Sequence, residues 1–191
     1  MALNPFVRRG NPHALVVGMT GVKLGDRLLQ IGCADGGPLA AVAAKVGLSG
    51  RAVVLVSDDA SARRAERGAA DQGVLVEVER ASGPRLPFGD AEFDLVVFDD
   101  TADLVGAMRA DDRAAWIRDA LRVLRPGGRG MIIGTLPPGG LGALFSRAKT
   151  GASFAASGGA AEALEADGFR SVRVLAERDG LVFVEGVKAR S

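Results

Sequence analysis

Residues 28–47, LLQIGCADGGPLAAVAAKVG, join an apolar run to an Ala-rich run through a turn that holds Gly32, Ala34, Gly36 and Gly37. Glycine costs backbone entropy wherever it stands, so such a cluster requires a backbone that turns tightly or approaches something closely. Residues 28–31 read as a buried strand. Pro38 suits the first turn of a helix, where a missing N–H is harmless. Strand, glycine turn and helix in that order aim free backbone N–H groups at whatever occupies the turn.

The same alternation continues along the chain. RAVVLVSDD (51–59) is a β-branched run ending in two acids, and ASARRAERGAADQG (60–73) reads as an exposed helix closed by Gly73. VLVEVER (74–80) alternates as a strand with one covered face, and FDLVVFDD (93–100) is a further strand, again ending in acids. DDRAAWIRDALRVL (111–124) puts Ala115, Ile117, Leu121 and Leu124 on one helical side, with Asp111 as the expected N-cap. RPGGRGMIIG leads into a fifth strand, and residues 158–168 read as a short helix. SVRVLAE and LVFVEGV, joined around Arg178, Asp179 and Gly180, read as a β-hairpin. The N-terminal stretch shows no clear period.

Strands alternating with helices give an α/β, doubly wound, Rossmann-like sheet, mostly parallel, to which the hairpin adds an antiparallel C-terminal strand. With no repeat and no dividing linker, the 191 residues are expected to form one domain, residues 1–23 acting as an N-terminal cap segment. A net charge of +1, from 24 basic and 23 acidic residues, argues against a protein built to grip nucleic acid. One cysteine and one histidine exclude an internal disulfide and the usual zinc ligand sets, and fit a cytoplasmic protein without a metal. The apolar stretches at 8–22 and 130–145 are too short or too interrupted by Gly and Pro to span a membrane.

Ligands of such sheets sit at the carboxyl ends of the strands, where the strand order reverses. Gly32-x-Ala34-x-x-Gly37, with Asp58 and Asp59 after the second strand, is a degraded dinucleotide fingerprint that taken alone leaves NAD open. Three segments in order, LLQIGCADGG, RLPFGDAEFDLVV and ALRVLRPGGRGMIIG, together resemble the class I S-adenosylmethionine (SAM)-dependent methyltransferases. The similarity is to the small-molecule and quinone-type branch and extends over residues 24–187.

That resemblance implies a seven-stranded sheet of order 3-2-1-4-5-7-6 with strand 7 antiparallel, SAM as cofactor, and methyl transfer to a small-molecule acceptor. It implies that Gly32, Ala34 and Gly36, with Cys33 and Asp35 between them, pass under the methionine moiety. A side chain at Gly36 is then expected to enter the cofactor's path. Asp58 or Asp59 matches the acid that binds both ribose hydroxyls. The spacing assigns the ribose to Asp58 and the cap of the next helix to Asp59. Ser82, where relatives often carry Asp, matches the place that holds the adenine edge, and Phe98 and Asp99 match residues lining the transferring methyl. Asp99 and His13 are the candidate general bases, should the acceptor need one. Cys33 reads as a packing residue and Trp116 as core.

The strand ending in FDDTAD lacks the N/D-P-P-Y signature of amino-directed nucleic-acid methyltransferases. Little chain is left to wall an acceptor pocket beyond residues 1–23 and 136–158. A second reading follows: a catalytically silent SAM-binding module acting as partner or regulator of another protein. The same shortage makes a homo-oligomer that borrows walls from a neighbour an expectation to test. Residues 136–158 and the N-terminal stretch are expected to act as a lid. Within the former, Leu141, Leu144 and Phe145 beside Arg147 and Lys149 form a candidate flap for peripheral membrane contact.

Overall fold

Twelve elements follow one another in the computed structural model, which describes residues 11–81, 83–137 and 153–190. They begin α1 (Ala14–Thr20), β1 (Arg27–Ile31), α2 (Gly36–Val46), β2 (Arg51–Val56), α3 (Asp59–Gln72) and β3 (Glu77–Arg80). They continue β4 (Phe93–Asp99), α4 (Ala110–Val123), β5 (Leu124–Thr135), α5 (Gly159–Ala166), β6 (Arg170–Arg178) and β7 (Leu181–Val187). The seven strands form one sheet of order β3-β2-β1-β4-β5-β7-β6. β1 pairs in parallel with β2 and β4, and β7 lies antiparallel to both β5 and β6. The β6–β7 turn places Asp179 and Gly180 at φ +53° and +78°, two left-handed residues in a row, as a tight hairpin requires.

Strand alternation sends side chains to two apolar layers. Leu29 and Ile31 of β1 face Ile117, Ala120 and Val123 of α4 and Leu164 of α5. Leu28 faces Val16 of α1 and Val42 and Val46 of α2, while Ala62 and Ala65 of α3 pack with Leu39 and Val54. The chain leaves β1 for β2 and β3 and returns to pair β4 on the other side of β1. The carboxyl ends of β1 and β4 are therefore the point where strand order reverses. The predicted cleft belongs there.

Several boundaries differ from the sequence expectations. α1 forms where no period was legible, because Val16 and Thr20 are buried under it. Its C-terminal Gly21 sits at φ +56° and its carbonyl accepts from Arg129 Nη2 at 3.2 Å; buried Glu185 of β7 in turn holds Arg129 at 3.0 Å and Arg173 at 3.2 Å. β3 is shorter than residues 74–80, covering only Glu77–Arg80. The α4 cap lies two residues earlier than expected, at Arg109, and Asp111 falls inside the first turn, where its charge favours the helix dipole. No described helix is long and apolar enough to cross a membrane. The proposed lid and flap fall largely on residues 1–10 and 138–152, outside the described residues, as do Arg8, Arg9, Leu141, Leu144, Phe145, Arg147 and Lys149.

Candidate functional site

At the reversal point lies a cavity of about 390 Å³. Gly32, Cys33 and Ala34 form its floor after β1, and Ser57 and Asp58 after β2 form one wall, with Ser61 and Arg64 of α3. Ala81 after β3 continues that wall, and Ala102, Leu104, Met108 and Trp116 close the opposite side.

The turn is held from several directions. Gly32 adopts φ +85°, and a Cβ there would stand 2.6 Å from Leu104 Cδ2 and 3.2 Å from the Asp99 carbonyl oxygen, so only glycine fits. Asp99 Oδ2 accepts the Ala34 N–H at 2.8 Å, while Oδ1 accepts the Thr101 hydroxyl at 2.5 Å and the Thr101 N–H at 3.2 Å. Asp99 thus lies at the cavity, with its carboxylate engaged in ordering the turn. Asp35 caps α2, its Oδ1 accepting the Gly37 N–H at 2.9 Å.

Gly36 corrects an expectation. Its missing side chain points away from the cavity and into α3: a Cβ would lie 2.1 Å from the Arg64 carbonyl oxygen and 3.1 Å from Gly68 Cα. A Cβ on Gly68 would in turn lie 2.3 Å from the Gly36 carbonyl oxygen. The two glycines let α2 and α3 cross in backbone contact, so Gly36 serves helix packing.

The strand-2 acids also change roles in part. α3 begins at Asp59 and its N-cap is Asp58, not Asp59. Asp58 Oδ1 accepts the Ser61 N–H and Oδ2 the Ser61 hydroxyl, both at 2.8 Å, and these bonds hold the Asp58 carboxyl below the usual carboxylate range. Ser61 Oγ accepts from Arg64 Nη2 at 2.7 Å, and Arg64 Nε donates to the Cys33 carbonyl at 2.9 Å. A relay of side chains therefore joins the start of α3 to the glycine turn. Asp59 turns outward to an exposed ion pair with Arg80. The cap moved by one residue because β2 stops at Val56 and both neighbouring positions are aspartate.

The remaining candidates sort by burial. Cys33 is buried among Leu39, Val54 and Val56, and burial pushes its thiol up to about 12, which removes it as a nucleophile near neutral pH. Phe98 is fully buried under α4 and does not line the cavity, a second correction: its side chain leaves β4 on the opposite side from Asp99. His13, at the start of α1, has its imidazole over the start of α2, where a Cβ on Gly37 would lie 2.6 Å from Nε2. Ser82 lies outside the described residues, next to Ala81 of the wall. Among the described residues no group of three or more His, Cys, Asp or Glu could hold a metal ion.

Sequence reasoning did not find the segment between β4 and α4. Asp103 sits in the left-handed region at φ +61°, and Trp116, expected in the core, is half-buried at the cavity. The tandem acids ending β4 were the available signal, because acids there cap turns. Buried Asp100 orders this segment: Oδ1 accepts the Val105 N–H at 2.6 Å and the Gly106 N–H at 3.2 Å. Its Oδ2 has no partner, alone in that respect among buried side-chain oxygens and nitrogens of the described residues. Burial raises the Asp100 pKa above the ordinary carboxylate value. A raised pKa means a contribution to stability that is complete below the unfolded-state value and lost as pH rises through the folded-state value. Asn at this position keeps an oxygen for both N–H groups and never ionises. Relative to wild type, Asp100→Asn should therefore gain in Tm on going from about pH 4 to about pH 7. A pH-independent difference in thermal melts would contradict the burial account.

The sequence pattern of the methyltransferase domain matches residues 28–128. The chain is 32% identical over 155 residues to the ubiquinone/menaquinone biosynthesis C-methyltransferase UbiE of Pseudomonas putida, covering 78% of this chain and 58% of that one. It is 37% identical over 116 residues to the 27-O-demethylrifamycin SV methyltransferase of Amycolatopsis mediterranei, covering 60% and 40%. It thus spans less than two thirds of these relatives' lengths. A solved SAM-dependent methyltransferase from Aquifex aeolicus shares the fold with a TM-score of 0.72 at 19% identity, covering 92% of this chain and 89% of that one. With the domain pattern running from β1 into β5 and the sheet order and glycine turn in agreement, the chain belongs to the class I SAM-dependent methyltransferase family.

Proposed function

We propose that the protein transfers a methyl group from SAM to a small-molecule acceptor in the cytoplasm. The observation that carries this reading is the cavity of about 390 Å³ where the glycine turn, the acid after β2 and the apolar segment after β4 meet. Its residues fit the cofactor: the left-handed Gly32 leaves bare backbone where a Cβ would collide with Leu104, and each Asp58 oxygen keeps a lone pair beside its Ser61 bond, so the carboxylate can accept two further hydrogen bonds. Leu104, Met108 and Trp116 offer the apolar side suited to a purine, and Ser57 and Asp58 the polar side suited to a ribose. The sulfonium of SAM supplies an already activated methyl group. What remains for the chain is to bind, to align and to exclude water. Asp99 fixes the Ala34 N–H and hence the shape of the turn, which gives it a positioning role. The balanced net charge and the free buried Cys33 support a small-molecule acceptor and a reducing compartment.

The test is binding followed by turnover. S-adenosylhomocysteine should raise Tm and bind in calorimetry, NADH should do neither, and label from methyl-labelled SAM should pass to a small molecule of a deproteinised extract. Binding of NADH without S-adenosylhomocysteine would overturn the assignment. Tight binding of S-adenosylhomocysteine with no transfer to any extract would favour the silent SAM-binding module.

A further inference from the structure

A second cavity, of about 210 Å³, lies on the other side of Asp99. Val16 of α1 covers it, Val97 of β4 and Leu181 of β7 form apolar walls, and Gln30, Asp35 and Asp99 supply polar atoms. Among the described residues, Asp99 is the only one lining both this cavity and the larger one. Three features bear on what it takes. Its size is below the 300–1,000 Å³ common for drug-sized ligands, so the occupant is compact. Its walls are mainly aliphatic, and Gln30, though only 7% exposed, is tied by Nε2 to the Gly32 carbonyl at 3.0 Å. Its charged walls are two carboxylates with no Lys or Arg among the described lining residues, which disfavours an anion.

The geometry points to this cavity as the acceptor site, taking a compact, uncharged, mainly apolar molecule of single-ring size with a hydroxyl that donates toward Asp99. This rests on reading the larger cavity as the SAM site, because methyl transfer needs donor and acceptor to meet across a short, aligned gap. Asp99 then does two things: it holds the turn through the Ala34 N–H, and it faces the acceptor across the boundary between the cavities. α1 is the roof of the site. Its anchorage through Gly21 to Arg129 and Glu185 fixes Val16 over the sheet.

The experiment uses the full chain saturated with S-adenosylhomocysteine and titrates phenol and benzoate, followed by methyl NMR. Phenol should shift the methyl signals of Val16, Val97 and Leu181, and benzoate should bind at least tenfold more weakly. Leu181→Phe and Val16→Phe, which fill the space from β7 and from α1, should weaken phenol at least tenfold while leaving S-adenosylhomocysteine affinity within about twofold. Should either variant fail to fold, the wild-type shift map and the phenol–benzoate comparison decide alone. Equal binding of benzoate, phenol shifts elsewhere, or no phenol binding to the S-adenosylhomocysteine complex would overturn the acceptor assignment and leave the SAM site standing. Absence of S-adenosylhomocysteine binding would instead remove the proposed function, and this assignment with it.

Discussion

Gly36→Val is expected to lower Tm by about 10 °C or to prevent folding, rather than to yield a folded protein that cannot bind cofactor. The cause is a contact between backbones. A Cβ at Gly36 would stand 2.1 Å from the Arg64 carbonyl oxygen, and the facing Gly68 has no side-chain atoms whose rearrangement could make room. Overpacking in well-packed regions costs about 1–3 kcal/mol and sometimes more. Here a carbonyl and two helix axes would have to move, which puts the cost at the upper end. At about 2–4 °C per kcal/mol for a chain of this size, 3 kcal/mol is a fall of about 6–12 °C. Gly68→Ala should destabilise in the same direction and combine non-additively with Gly36→Ala, because one displacement of α3 relieves both collisions. Gly18→Ala is the control. Nothing lies within 4 Å of a Cβ there, and alanine gains about 0.5–1 kcal/mol over glycine in a helix, so Tm should not fall. Thermal melts of the four single variants and of the Gly36→Ala/Gly68→Ala double settle the matter. A Gly36→Val protein with wild-type Tm and no affinity for S-adenosylhomocysteine would return Gly36 to the cofactor's path.

The glycine cluster shows what was legible in the sequence and what was not. That the chain must turn tightly after β1 is a local property of Gly32, and the structure bears it out at φ +85°. What Gly36 faces depends on where α3 crosses α2, and its partner Gly68 is distant in sequence. No local pattern carries that. The same division runs through the fold. Periodicity and turn residues revealed β1, β2, β4, β5 and the β6–β7 hairpin, because those signals are written within each segment. α1 escaped, since ALVVGMT has a glycine and two β-branched valines and weak helical preference of its own. It is helical because Val16 and Thr20 are buried against the sheet, a tertiary cause. The wall between β4 and α4 escaped for a related reason. Its shape comes from a left-handed Asp103 and from the buried Asp100 carboxylate, which side-chain type alone does not reveal.

The one-residue shift of the α3 cap sets up the second large effect. Asp58→Ala is expected to weaken S-adenosylhomocysteine by about ten- to a hundredfold and also to lower Tm, whereas Asp59→Ala should do neither to a measurable degree. Asp58 lines the cavity and caps α3, so one substitution removes both the proposed acceptor for the ribose and the bonds that satisfy the Ser61 N–H. It also frees Ser61 Oγ and, through it, the Arg64 side chain that holds the Cys33 carbonyl, so the glycine turn loosens as well. Among the described residues Asp59 forms its ion pair with Arg80, both side chains more than half exposed, a situation in which ion pairs contribute little. The pH dependence gives an independent readout. The folded-state pKa of Asp58 is depressed, so its contribution to stability is present above the unfolded-state value and lost as pH falls through the folded-state value. The Tm gap between wild type and Asp58→Ala should therefore close on acidification below about pH 4. Asp58→Asn separates the two roles: its side-chain oxygen can still cap the Ser61 N–H, but it has lost the charge and one acceptor. Near-normal Tm with weakened S-adenosylhomocysteine in Asp58→Asn is the result that makes Asp58 a ribose ligand. If Asp58→Ala loses stability and keeps its affinity, the carboxylate is a helix cap alone, and Ser57, its neighbour in the same wall, becomes the residue to substitute.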